Sequence, residues 1–217
     1  IAKKFLSLGA KVTITGRNLD KLNSVKKDLN NSNLIVVEWD IAKTNLIDEK
    51  VNETVGKMGK IDILINNSGI YAPNSFFNTD EKLFDEIMNT NLKGLFFTSK
   101  KISVYFIKNS IKGKIINIGS VRSFQGGSEA YGISKWGVRG LTQGLARDLI
   151  KHGIVVNAVA PGITATGING INIQNNAYTS SSLDKSVAMP EEIAEIVIFL
   201  SSSSTNHIIG QTIVCDG

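Results

Sequence analysis

The chain has 217 residues, 42% apolar and 20% charged, a balance that suits one globular α/β domain with a sizeable core. Its net charge of +5 is spread along the chain without a run of like charges, which argues against a nucleic-acid surface. No apolar run approaches the ~18 residues of a membrane span, no signal-peptide pattern is read in the first residues, and a single cysteine, Cys215, leaves no internal disulfide and suits a reducing cytoplasm.

In chain order, Ile1-Ala2-Lys3-Lys4-Phe5-Leu6 reads as the middle of a helix. Residues 11–15 (KVTIT) predict a short strand, 19–29 a polar helix, 34–38 (LIVVE) a second strand and 44–58 a further helix. Strands are also predicted at 61–65 (IDILI), 114–118 (KIINI), 154–159 and 212–214, with helices at about 80–109, 130–151 and 190–201. Apolar strands alternating with helices imply a parallel sheet covered on both faces. Right-handed crossovers make it doubly wound. No linker, repeat or second core divides residues 1–217. Segment 165–186, rich in Asn, Ser, Thr and Gly, breaks the rhythm and predicts a lid rather than a merely variable loop. Cys215, beside Ile213 and Val214, reads as a buried strand thiol, and His152 before Gly153 as a helix C-terminal cap.

The residues that carry chemistry centre on Tyr131-Gly-Ile-Ser-Lys135, with Ser120 eleven positions earlier. A tyrosine and a lysine four apart share one helix face. A free phenol titrates near ~10, and an adjacent ammonium is expected to lower that by roughly 1–3 units. A hydroxyl at a neighbouring strand end could then hold a substrate oxygen beside the phenol, as alcohol–carbonyl proton transfer requires. Other polar or small residues also follow predicted strands: Trp39-Asp40, Asn66-Asn67-Ser68-Gly69, Gly119-Ser120 and Ala160-Pro161-Gly162-Ile163-Thr164. Ligands of open α/β sheets bind at these carboxyl ends.

Asn66-Asn67-Ser68-Gly69, Asn91, Ser120, Tyr131-x-x-x-Lys135, Asn157 with Pro161-Gly162, and the closing Gly210-Gln211-Thr212 to Asp216-Gly217 occur in one order across essentially the whole chain. In these the chain resembles the single-domain branch of the short-chain dehydrogenase/reductase family, with a 3-oxoacyl-acyl-carrier-protein reductase-like or sugar/polyol dehydrogenase-like character. Ser68 stands where the family usually has alanine, and the 120–131 loop is shorter than in many members. The resemblance implies a Rossmann fold and hydride exchange between a nicotinamide and a carbonyl or secondary alcohol. Tyr131 is then the general acid/base and Ser120 the group that holds the substrate oxygen. Lys135 binds the nicotinamide ribose and lowers the phenol's pKa, and Asn91 positions a water in a proton relay.

Cofactor choice is read at Thr15-Gly16-Arg17-Asn18. No acid stands there, and Arg17 suits a 2′-phosphate, so NADP(H) is expected over NAD(H). By resemblance, Asp40 and Ile41 contact adenine, and Asn67, Ser68 and Gly69 flank the adenine-side ribose. Pro161, Gly162, Ile163, Thr164 and Thr166 contact the nicotinamide amide. The family's glycine-rich turn and first strand do not occur in the sequence. That strand is central in the fold, so a sheet without it would carry two unpaired edges. Either a longer gene product or a short relative that has lost cofactor binding would explain this. Gly137, Gly140 and Gly144 share one helix face and imply close packing, either in a homodimer or homotetramer or on the chain's own sheet. Two histidines and one cysteine make a zinc site improbable. The rival to an enzyme is a non-catalytic Rossmann-fold scaffold or regulatory protein. A larger epimerase or dehydratase relative is disfavoured by the short C-terminal region.

Overall fold

The chain's most apolar runs are its central strands. The computed structural model describes residues 1–73, 75–166, 179 and 182–217. In it β4 (Lys114–Ile118) and β5 (Val155–Pro161) are buried along nearly their whole length, because helices cover both faces. Side chains alternate between those faces. Ile115 and Val156 join a core with α3 (Ile47–Met58), α5 (Gly94–Lys108) and α6 (Ala130–Leu149). Ile116 and Val159 join a second core with α7 (Pro190–Ser201), which α1 (Ala2–Ser7) supports through Ile1 and Phe5.

The remaining elements are β1 (Val12–Gly16), α2 (Leu19–Leu29), β2 (Leu34–Glu38), β3 (Ile63–Asn66), α4 (Glu81–Met88) and β6 (Thr212–Cys215). Every strand pairing is parallel. The predicted α/β alternation is therefore what the chain adopts, with strand ends shifted by one or two residues. The strands form two sheets, β1–β2 and β3–β4–β5–β6. Between β1 and β3 lies a slot of about 470 Å³ walled by residues such as Val12, Ile14, Ile63 and Ile65. The edges of β1 and β3 that face this slot carry no strand pairing among the described residues. Thr13 Oγ1, Trp39 Nε1, Asn66 Oδ1 and Thr98 Oγ1 lie at this slot, buried without a hydrogen-bond partner.

Two expectations need correction. The helix predicted over 80–109 is two helices joined by a π-helical turn at Asn89–Lys93. The wider turn lets Asn91 point inward, where its amide meets the backbone of Ile70. Packing on the chain's own elements accounts for one of the three α6 glycines. A Cβ on Gly137 would stand 2.6 Å from Leu92 Cδ2, whereas Gly140 and Gly144 meet nothing within 4 Å. Cys215 is only partly buried. The segment read as a lid, 165–186, falls for the most part outside the described residues.

Lys114 closes the carboxyl end of α7 from below. Its side chain is buried, and Nζ donates to Leu200 O at 3.3 Å, to Thr205 Oγ1 at 3.2 Å and to Ser202 O. Burial pulls its pKa below the ordinary lysine value, so the ammonium carries a desolvation cost. Its three bonds offset that cost, joining the Thr205 hydroxyl, which also reaches Leu200 O at 3.1 Å and Ser202 O at 2.8 Å. Lys114→Met is expected to lower stability by about 2 kcal/mol, read as a lower urea midpoint at unchanged slope; an unchanged midpoint would show that the cap contributes nothing.

Candidate active site

The carboxyl ends of β3, β4 and β5 open into a cleft of about 1040 Å³. Parallel strands bring these ends to one rim, so residues distant in sequence meet there. Ser120 follows β4 by two residues and is buried; its Oγ accepts the Arg122 N–H at 3.2 Å and caps the 3₁₀ turn Val121–Phe124. Tyr131 and Lys135 lie on the first turns of α6 and line the same cleft. The structure thus brings Ser120, Tyr131 and Lys135 together.

Lys135 runs under the tyrosine. Its Nζ donates to Ile118 O at 2.9 Å and stands 5.6 Å from the centre of the Tyr131 ring. Its side chain is almost wholly buried, and desolvation lowers its pKa to about 8. The phenol moves the other way. Burial raises the Tyr131 pKa above its ordinary value, with the Tyr71 hydroxyl adding to the rise, while the Ser120 hydrogen bond and the Arg122 charge oppose it. This corrects the expectation that Lys135 depresses the phenol. The ammonium's bond points to the Ile118 carbonyl, and the cost of an ionised phenol in a buried pocket dominates.

Asn91 stands behind Lys135. Its Nδ2 donates to Ile70 O at 3.0 Å and to Ser134 Oγ at 3.2 Å, and its Oδ1 accepts Ile70 N–H at 2.8 Å. Both donors are committed, and one acceptor position on Oδ1 is left for a further group. Gly69 lies between the two side chains. A Cβ there would stand 3.5 Å from Asn91 Oδ1 and 3.7 Å from Lys135 Nζ, so the missing side chain keeps that approach open.

The residues expected to hold a cofactor divide between two places. Asn67, Gly69, Pro161, Gly162, Ile163, Thr164 and Thr166 line the cleft with the catalytic candidates. Ile41 and Ser68 line the slot beside β1 instead. Arg17 is exposed just beyond β1. Asn18 is occupied locally, since its Oδ1 accepts Lys21 N–H at 2.8 Å and caps α2. Asp40 likewise accepts Ala42 N–H at 3.1 Å. These residues fit a dinucleotide: small residues and backbone at the strand ends permit close approach, and Arg17 makes no ion pair among the described residues.

Sequence reasoning missed three cleft residues. Tyr71 packs edge-to-face on Tyr131, with ring centres 5.1 Å apart. Arg122 and Glu129 form an ion pair at the cleft wall. Arg122 lies two residues from Ser120 and Glu129 two from Tyr131, and proximity to those positions was the signal that could have found them.

A family model described as enoyl-(acyl carrier protein) reductase matches residues 1–217. The chain is 39% identical over 173 residues to the 2-dehydro-3-deoxy-D-gluconate 5-dehydrogenase of Dickeya dadantii (strain 3937), covering 77% of this chain and 68% of that protein. Its fold is similar to a 3-ketoacyl-(acyl-carrier-protein) reductase from Brucella melitensis complexed with NADH, with TM-score 0.91, 27% identity and coverage of 100% of this chain and 90% of that one. It is also similar to ElxO with NADP bound, with TM-score 0.88, 29% identity and coverage of 99% and 90%.

The low pKa of Lys135 has a consequence for stability. The unfolded chain holds this proton up to about 10.5, whereas the folded chain releases it near 8. Unfolding therefore takes up a proton between those values, and stability contributed by this group rises as pH increases through that window. Between pH 7.5 and 10 the protein is expected to gain about 2 kcal/mol relative to Lys135→Met, measured by urea unfolding of both at each pH. Parallel pH curves for the two would refute the assignment.

Proposed function

The chain belongs to the short-chain dehydrogenase/reductase family, and on that premise we propose that residues 1–217 are part of one NADP(H)-dependent oxidoreductase domain. The enzyme is a dehydrogenase or reductase of carbonyl and CH–OH groups. The observation that carries the finer reading is the meeting of Ser120, Tyr131 and Lys135 in one cleft at the strand carboxyl ends.

The nicotinamide, when bound, supplies or accepts the hydride at the substrate carbon. The chain's own residues handle the oxygen. Ser120, which lines the cleft with the phenol, holds the carbonyl oxygen beside Tyr131. Tyr131 gives its proton to that oxygen in reduction and takes it back in oxidation. A phenol held above its ordinary pKa is protonated at neutral pH and so ready as the acid. Lys135, under the ring, is placed to bind the nicotinamide ribose, and Asn91 offers its remaining acceptor position to a water behind it. Arg17 takes the 2′-phosphate, a role supported by the lack of a carboxylate at 15–18 and by the NADP-bound neighbour.

Homo-oligomerisation is supported by Phe96, Phe97 and Val104 on α5 and Ile133 and Trp136 on α6, all exposed and apolar, beside the open Gly140 and Gly144. Among the described residues no helix is long and apolar enough to cross a membrane. The single cysteine supports a place in the reducing cytoplasm.

Tyr131→Phe is expected to lower kcat/KM for carbonyl reduction by about 10²- to 10⁴-fold while NADPH affinity by calorimetry stays within about threefold. Failure of the unaltered protein to bind NADPH would favour a scaffold. Arg17→Ala is expected to raise the KM for NADPH about tenfold or more and leave that for NADH nearly unchanged; equal effects on both cofactors would remove Arg17 from the phosphate site.

A further inference from the structure

Arg122 is built into the cleft with unusual care for a surface arginine. The 3₁₀ turn that carries it is pinned at several points. Ser123 Oγ donates to Ser120 O, Arg139 Nη1 donates to Ser123 O at 3.0 Å, and Trp136 Nε1 donates to Gln125 O at 2.8 Å. Arg139 also stacks on Phe124, with 3.9 Å from its guanidinium carbon to the ring centre. The Arg122 side chain is then clamped along one edge. Nε donates to Glu129 Oε1 at 3.0 Å, Nη2 donates to the same oxygen, and Nη1 donates to Gln125 Oε1 at 3.2 Å.

Glu129 can fold back in this way because two glycines leave it room. A Cβ on Gly127 would stand 2.8 Å from Glu129 Oε2, and one on Gly132 2.9 Å from Oε1. The carboxylate is 14% exposed and the arginine 40%. Burial pushes the Glu129 pKa up, but the Arg122 hydrogen bond and a backbone hydrogen bond outweigh it and leave the group below its ordinary value. Two of the five guanidinium N–H groups have no acceptor among the described residues, and the residue lines the cleft with Ser120 and Tyr131. Its charge is felt at the phenol in spite of Glu129.

A rigid planar fork with free donors, beside the groups that hold the reacting oxygen, matches a carboxylate geometrically. Lys135, the other cationic side chain among the described residues that line the cleft, is buried and spends its bond on Ile118 O. We propose that Arg122 is the specificity-determining residue of this cleft and takes a carboxylate of the substrate, so that the enzyme acts on hydroxy acids and oxo acids in preference to neutral alcohols and ketones. This rests on the oxidoreductase reading of the same cleft. Glu129 serves as the tether that fixes the fork's orientation and accepts no substrate charge itself.

The test uses three- to six-carbon hydroxy acids, each paired with its primary amide, and NADP⁺ as oxidant. The unaltered protein is expected to favour the acid by about 10- to 100-fold in kcat/KM, as a charge-assisted bond would give. Arg122→Gln is expected to bring the ratio near one and Arg122→Lys to leave it between the two. Because Arg122→Gln strands a half-buried carboxylate, Arg122→Gln with Glu129→Gln is made as well; it is expected to keep native circular dichroism and the same loss of preference. Amides turned over as well as acids, or an acid preference that survives in the double variant, would overturn the proposal. Saturation-transfer NMR with the same pairs separates the two readings. Arg122-dependent binding of acids without turnover of either partner sinks the oxidoreductase assignment and keeps this one; equal binding of acid and amide sinks this one.

Discussion

A line of buried polar side chains sets where everything in the cleft stands. Asn66 at the end of β3 donates to Asn117 on β4 at 2.8 Å and to Ser99 on α5 at 2.9 Å; Asn117 donates to Thr142 on α6 at 2.9 Å, and Thr142 donates to Val138 O. These groups are buried where unmade bonds are costly. An apolar helix–sheet contact tolerates sliding, because dispersion is non-directional. A hydrogen-bonded one does not. Were α6 to slip by a turn, Tyr131 would move about 5.4 Å along its axis and leave Ser120 behind. Asn117 is three residues before Ser120 and Thr142 eleven after Tyr131, so the ladder ties the two halves of the proton site to one register.

Within that frame, burial and charge act in opposite senses on the two central groups. Both are driven towards their neutral forms, the phenol upward and the ammonium downward, as desolvation requires. The cleft therefore favours a neutral tyrosine as donor while keeping the lysine near the point of titration. The Ser120 bond and the Arg122 charge are the two influences that favour the phenolate. Their action is strongest when the proton has left, which is when a general acid needs its conjugate base stabilised. Tyr71, packed edge-to-face on the ring, keeps the phenol's burial in place.

Much of this was legible in the sequence. Mostly apolar five-residue runs located β2 and β4 to the residue, and β4 is buried along nearly its whole length while β2 is buried at Leu34 and Val37 only. Tyr131, Lys135 and Ser120 were found by type and spacing because an i,i+4 pair shares a face in any helix. The π turn at Asn89–Lys93 was not legible. Its single extra residue leaves the apolar periodicity of 80–109 nearly intact and depends on a tertiary bond to Ile70. The direction of the Tyr131 shift was misjudged because sequence reveals a neighbouring charge but not the depth of burial. Arg122 and Glu129 stand two residues from Ser120 and Tyr131, which was the only linear hint; that they pair depends on a loop whose glycines let the chain fold back.

The division of the sheet bears on how the site is coupled. The proton machinery belongs to the four-stranded sheet and its helices α5 and α6, whereas Arg17 and Asp40 follow strands of the two-stranded sheet. No backbone ladder joins these halves among the described residues. Among the contacts that join them are an apolar cluster in which Val37 and Trp39 of the first half pack with Val51 of α3, Ile102 and Phe106 of α5 and Ile115 of β4, and the close approach of the Ile41 backbone to Gly94 of α5. Side-chain packing of this kind resists separation but holds a relative rotation less sharply than a strand pairing, which fixes each residue through directed bonds. The arrangement of Ser120, Tyr131 and Lys135 is held within the four-stranded half and its helices by the directed bonds of the asparagine ladder.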